Sequence, residues 1–181
     1  MKQASVLVQE LDACTRQYMA LNNELSEHQL HYKINAKTWS ILEVIAHVIT
    51  TDTLVFNELE FVIKENSGKP KKPTRFSWFE NWFLKKINPE SKLKLPAPSI
   101  YKPPTDTELN RREVFESFVK HQERFKKLIQ NAENSDQTLK VRSPYTALVR
   151  MSIAAWIELG LKHQCRHMHQ IERIMKKIPT G

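Results

Sequence analysis

The segment Thr38–Glu65, TWSILEVIAHVITTDTLVFNELEFVIKE, decides the fold class. Ser40 and Glu43 have the S-x-x-E spacing of a capping box, and Trp39 and Val44 occupy the two positions of a hydrophobic staple. A helix is therefore expected to open at Ser40. Val44, Ile45, Val48, Thr51 and Leu54 form a broad apolar arc along it, and His47 stands among them where a histidine is out of character.

Three further segments carry helical periodicity. About Ser5 to Glu24 places Leu7, Leu11, Tyr18 and Leu21 near one face. A third helix is expected after PPTDTE, where Thr105 and Glu108 again have box spacing, with Leu109, Phe115, Phe118, Phe125 and Ile129 on its apolar side. A fourth is expected after RSPY, with Pro144 in its first turn, running to about Lys177. Four long helices with a short loop between the last two predict an all-α, four-helix bundle, one domain over residues 1–181.

The connection between the second and third helices is long, from about Ser67 to Thr105. It holds most of the prolines and the basic run KPKKPTR. Within it, FSWFENWFLKKI, Phe76 to Ile87, sets Phe79, Trp82 and Phe83 at helical spacing, so a short extra helix is expected. Packing of its aromatics on the bundle is preferred over a membrane-interface wedge beside Lys85 and Lys86.

Composition agrees with helices. Only three glycines in 181 residues leave little for the tight turns of a β-sandwich or for a phosphate-cradling loop. Cys14 and Cys165 form no C-x-x-C and no disulfide framework. The N-terminus lacks the apolar stretch of a signal peptide, and no run approaches the roughly 18–20 apolar residues of a membrane span, so a cytoplasmic protein with no membrane role is expected. The net charge of +8 fits a solvated basic surface or an anionic partner, such as an acidic small molecule. No nucleic-acid-binding motif accompanies the charge, and specific nucleic-acid binding is not expected.

HQCRHMHQIERI, His163 to Ile174, concentrates three histidines. At 100° per residue His163 and His167 lie about 40° apart and roughly 6 Å apart along the axis, whereas His169 points elsewhere. Their face continues through Gly160, Trp156 and Ile153 on one side and Ile171, Ile174 and Ile178 on the other, so the pair sits in an apolar stripe and needs partners. A metal ion would satisfy both, with His47 as third ligand and a coordination position left open. On spacing alone the competing reading, a hydrogen-bonded core pair or an accident of the helix surface, stays open. His28 and His31 suit a capping or surface role, and His121 in VKHQER reads as solvated. Cys165 lies about 200° around the helix from His163, a poor fourth ligand. Glu43 is explained by its cap.

TWSILEVIAHV resembles the W-S-x-x-E-x-x-x-H segment of the DinB-like family, and HQCRHMHQIERI resembles its closing H-x-x-x-H-x-x-Q-I pattern. The likeness runs through the whole chain in order, including LPAPSIYKPP in the middle connection. Arg166 and His169 depart from it, standing where members often carry histidine and glycine. The resemblance implies a metal-binding four-helix bundle, often a homodimer, with ligands matching His47, His163 and His167. It also implies an activity of the thiol-S-transferase or related hydrolase kind with a low-molecular-weight thiol cosubstrate; imidazole ligands suit zinc, nickel or iron, and spacing does not choose among them. The rival expectation is a non-enzymatic basic bundle with a structural metal, binding an anionic partner such as nucleic acid. No residue is singled out as a catalytic base or as a thiol-binding group.

Overall fold

The computed structural model describes residues 2–72, 74–87, 109–146 and 148–179. Helices dominate it: α1 (Ala4–Glu24), α2 (Glu27–His31), α3 (Ile41–Glu65), α4 (Trp78–Ile87), α5 (Arg111–Glu133) and α6 (Ile153–Met175), with a hairpin of β1 (Lys140–Arg142) and β2 (Arg150–Ser152) before α6. α1, α3, α5 and α6 form the bundle. α3 packs against both α5 and α6, and so does α1.

The helix starts follow their chemistry. Ser40 caps α3 with both halves of the capping box formed, its amide donating to Glu43 Oε2 at 2.7 Å while its hydroxyl accepts from the Glu43 amide at 3.3 Å. Lys33 adds an ion pair to Glu43 at 2.7 Å. Leu7, Leu11, Tyr18 and Leu21 of α1 are all buried, as their periodicity requires.

Two helix starts differ from the sequence reading. α5 opens at Arg111, capped by the Asn110 side chain, which accepts from the Glu113 amide; Leu109 precedes the helix, and Thr105 and Glu108 lie outside the described residues. α6 opens at Ile153, well past Pro144, because Lys140–Arg142 and Arg150–Ser152 pair as a hairpin before it. Val141 pairs with Met151 across it, both side chains are buried, and the Trp156 indole N–H donates to the Val141 carbonyl at 3.0 Å. The last connection is accordingly longer than expected.

The extra helix in the middle connection is present as α4, packed on α6. It turns Glu80, Leu84 and Ile87 inward, and Phe76 and Phe83 also pack against the core. The expectation that its aromatics all pack is corrected for three of them: Trp78, Phe79 and Trp82 are 81%, 37% and 44% exposed. Glu80 caps α4 reciprocally with Ser77 and reaches across to the hairpin and the start of α6, its Oε1 accepting from the amide of Ser152, the N-cap of α6, at 2.6 Å and from Lys140 Nζ of β1 at 2.8 Å. Position N3 of α6 is Ala155, which has no acceptor of its own, so Glu80 completes that capping box from another helix.

The core has two apolar regions. One gathers Leu7, Leu11, Phe56, Leu59, Phe125, Leu128, Trp156 and Ile157, the other Tyr18, Leu30, Leu42, Ile45, Val48, Phe118, Met168 and Ile171. Along each of the last three bundle helices a polar group separates them: Asp52 on α3, His121 and Gln122 on α5, His163 and Gln164 on α6. His163 stands in this seam, and His47 and His167 lie just beyond it, flanked by Val48 and Met168 of the second region.

Candidate metal centre

His47 follows one turn after Glu43 on α3, while His163 and His167 are successive turns of α6. Because α3 packs on α6, the three rings converge. Their ligand atoms all lie within 4.8 Å of one another, so these three histidines are positioned to hold a metal ion. The ring centroids are 5.6 Å apart for His47 and His163, 4.8 Å for His47 and His167, and 4.5 Å for His163 and His167. His47 and His167 are buried and His163 is half-buried. The Trp39 ring lies tilted against the His47 ring, centroids 4.6 Å apart, so the staple residue of α3 also walls the site.

Hydrogen bonds set the direction of the ring nitrogens. His163 Nδ1 donates to Asp52 Oδ1 at 3.0 Å, and His167 Nδ1 donates to Gln170 Oε1 at 3.0 Å. With the Nδ1 protons so placed, a neutral imidazole keeps its lone pair on Nε2. The two Nε2 atoms then face each other at 3.0 Å. Two lone pairs at that distance repel unless a proton or a metal ion lies between them, and the third imidazole, His47, within 4.8 Å of both favours the metal. Two imidazoles whose Nδ1–H groups are held by acceptors, with the His47 ring beside them, fit a divalent transition ion.

The electrostatics favour the ligating form. Burial, and then the neighbouring His163 and His47, push the His167 pKa well below its usual value, so its ring is neutral near pH 7. Burial works to raise the pKa of Asp52, but hydrogen bonds from His121 and His163 outweigh it and hold the carboxyl well below the usual carboxylate range. Asp52 therefore stays ionised at the centre of the seam. Its Oδ2 accepts from Gln164 Nε2 at 3.0 Å and faces His121 Nε2 at 3.4 Å, while Gln164 Oε1 accepts from Gln122 at 3.0 Å and from the Cys14 thiol at 3.8 Å.

The structure thus brings together the three histidines that the sequence singles out. His28 is exposed and His31 pairs with Glu27, in keeping with their surface role, and His169 is exposed. Cys165 lies at the surface, outside the cluster. Glu43 serves as a cap. His121 is a correction: it is buried rather than solvated, stacked on Phe56 at 4.9 Å and directed at Asp52. Asp52, Gln164 and Gln170 escaped the sequence reading. A signal for Asp52 was present, since it falls at helical spacing in line with Ile45, Val48, Val55 and Leu59, a charged residue in an apolar stripe.

The model of the DinB superfamily matches residues 10–171. No curated protein and no solved structure matches the chain significantly.

Proposed function

The chain belongs to the DinB superfamily, and from that premise we propose that it is a divalent-metal-dependent enzyme, a small-molecule thiol-S-transferase or related hydrolase. One observation carries the reading: the Nε2 atoms of His163 and His167 meet at 3.0 Å, with each Nδ1 already bonded to an acceptor. His47, His163 and His167 would hold zinc, nickel or iron through three imidazoles, the ligand count that leaves a position for a further group. When bound, such an ion supplies Lewis acidity toward a thiol or water.

The chain's own residues do the rest. Asp52 fixes the tautomer and orientation of His163, and Gln170 does the same for His167. Trp39 covers one side of His47 and keeps water from that flank. The low-molecular-weight thiol, an acidic substrate suited to the charge of +8, and a homodimer complete the proposal.

The test loads protein purified without a histidine tag with one equivalent of zinc, nickel or iron and screens low-molecular-weight thiols against electrophiles, with ester and amide substrates in parallel. Metal-dependent turnover that disappears in His163→Ala supports the reading. Stoichiometric metal with no turnover across the screen, together with oligonucleotide binding that survives physiological salt, would favour the rival reading of a non-enzymatic basic bundle, for which the net charge speaks.

A further inference from the structure

The outer face of α4 has a composition that the metal centre does not explain. At 100° per residue Trp78, Phe79, Trp82, Lys85 and Lys86 fall within an arc of about 120°, all exposed, while Glu80, Leu84 and Ile87 cluster on the opposite side against the bundle. Lys86 Nζ lies 5.9 Å from the Trp82 ring centroid, which holds cation and aromatic side by side. Lys69, Lys71, Lys72 and Arg75 in the approach to the helix are exposed as well. Residues 67–87 carry six basic side chains and a single acidic one, and that one, Glu80, is buried and paired with Lys140. Lys72 is paired with Asp136 at 3.5 Å, and Lys69, Lys71, Arg75, Lys85 and Lys86 leave the stretch that carries the most exposed tryptophans strongly basic.

Against the expectation of no membrane role, we propose that this face is a peripheral docking surface for an anionic lipid membrane. Tryptophan and phenylalanine rings settle at the depth of the lipid headgroups, and neighbouring lysine and arginine are drawn to anionic phosphates there. α4 has the required geometry. Its inner face is fixed to α6, with Glu80 bonded to the Ser152 amide and Leu84 and Ile87 buried, so the outer face is presented without the helix having to detach. A second copy of the chain fits poorly, because a two-fold contact through this face would oppose one basic patch to another. A single-stranded nucleic acid is the weaker fit, because α4 lies on the outside of the bundle and offers a ridge in place of a charged groove with stacking platforms.

The surface is independent of the metal centre. Ser152, which anchors α4, precedes His163 by eleven residues on α6, about 16 Å along the helix axis. Lipid docking therefore stands or falls apart from metal chemistry.

The experiment is co-sedimentation of the full chain with vesicles of phosphatidylcholine alone and of phosphatidylcholine with one-third phosphatidylglycerol, at low and at high salt, with tryptophan emission followed in parallel. Binding to the anionic vesicles only, weakened by salt and accompanied by a blue shift, is the expected result. Trp78→Ala with Trp82→Ala, and separately Lys85→Glu with Lys86→Glu, should each weaken it at least tenfold. Lys176→Glu with Lys177→Glu, the same charge change at the exposed end of α6, should leave it intact. Absence of binding by the wild-type chain would overturn the proposal, as would equal loss in the Lys176 and Lys177 variant, which would reduce the effect to net charge. Displacement of the vesicles by a single-stranded oligonucleotide would overturn it in favour of nucleic acid. Loss of the tryptophan pair's effect because the chain dimerises through α4, seen as a change in sedimentation between wild type and variant without lipid, would overturn it in favour of a second copy.

Discussion

Asp52 and Glu80 are both buried carboxylates, at 4% and 1% exposure, yet they are satisfied in different ways. Glu80 accepts from the backbone amides of Ser77 and Ser152 and from Lys140, so its bonds tie a helix start to a neighbouring helix start. Asp52 accepts from side chains alone, those of His163, Gln164 and His121. Backbone partners are fixed by the fold, and a carboxylate that serves them holds the fold together. Side-chain partners can be exchanged without altering the chain trace, and a carboxylate that collects a histidine of a metal cluster orients that histidine. The kind of partner, more than the depth of burial, separates structure from function here.

The largest effect should come from breaking the structural carboxylate. Glu80→Leu leaves the Ser152 amide buried without an acceptor and exposes the Ser77 amide to the same loss, so it should destabilise the chain by about 3 kcal/mol, at about 1–3 kcal/mol for each such group. Denaturant titration reads the change, and metal content per folded molecule should stay as in wild type. Loss of metal at unchanged stability would erase the distinction from Asp52.

Asp52→Asn should do the reverse. It keeps the shape and one acceptor oxygen but removes the charge that orients His163, and metal affinity should fall about 10–100-fold, the usual cost of losing such a partner. Competition with a chelating dye measures it. The melting temperature should drop less than in Glu80→Leu, and a larger drop with unaltered affinity would make Asp52 a second structural carboxylate.

A smaller effect follows from pH. Burial works to raise the Glu80 pKa, but Lys140 and the Ser152 and Ser77 amides outweigh it and bring the carboxyl down from 4.5 to about 2. A depressed carboxylate stabilises the folded state fully above its unfolded pKa and loses that contribution as pH falls through the folded one. The stability gap between wild type and Glu80→Leu should hold at pH 7 and narrow between about pH 4.5 and about pH 2, as thermal melts across that range would show. A gap that widens in acid would reverse the sign of the linkage.

Much of the bundle was legible in the sequence because helix starts are local chemistry. Ser40 and Glu43 mark α3 with no help from the rest of the chain, and the periodicity of Leu7, Leu11, Tyr18 and Leu21 marks α1. The hairpin was not legible: three-residue strands reading KVR and RMS carry no alternation to detect, and what fixes them is Trp156 bonding to Val141 from the next helix. The histidine cluster was legible because two of its members share a helix face and the third interrupts an apolar arc. The charged neighbours of His121 in VKHQER point to solvent, whereas its helical spacing between Phe118 and Phe125, both fully buried, points to the core. The role of Asp52 is not local in the same way, since it depends on which helices face α3. The outward turn of Trp78 and Trp82 depends in the same way on Glu80 finding Ser152.

The central claim is that His47, His163 and His167, beside the polar seam between the two apolar regions, form a metal centre. Its most direct test is elemental analysis of protein purified without a histidine tag, comparing wild type with His47→Ala, His163→Ala and His167→Ala and with the controls His28→Ala and His169→Ala. One divalent ion per chain in wild type and both controls, and loss of it in each of the three cluster variants while all remain folded, is the predicted result; wild-type protein that takes up no stoichiometric ion even after incubation with zinc, nickel or iron, or equal loss in all five variants, would contradict it.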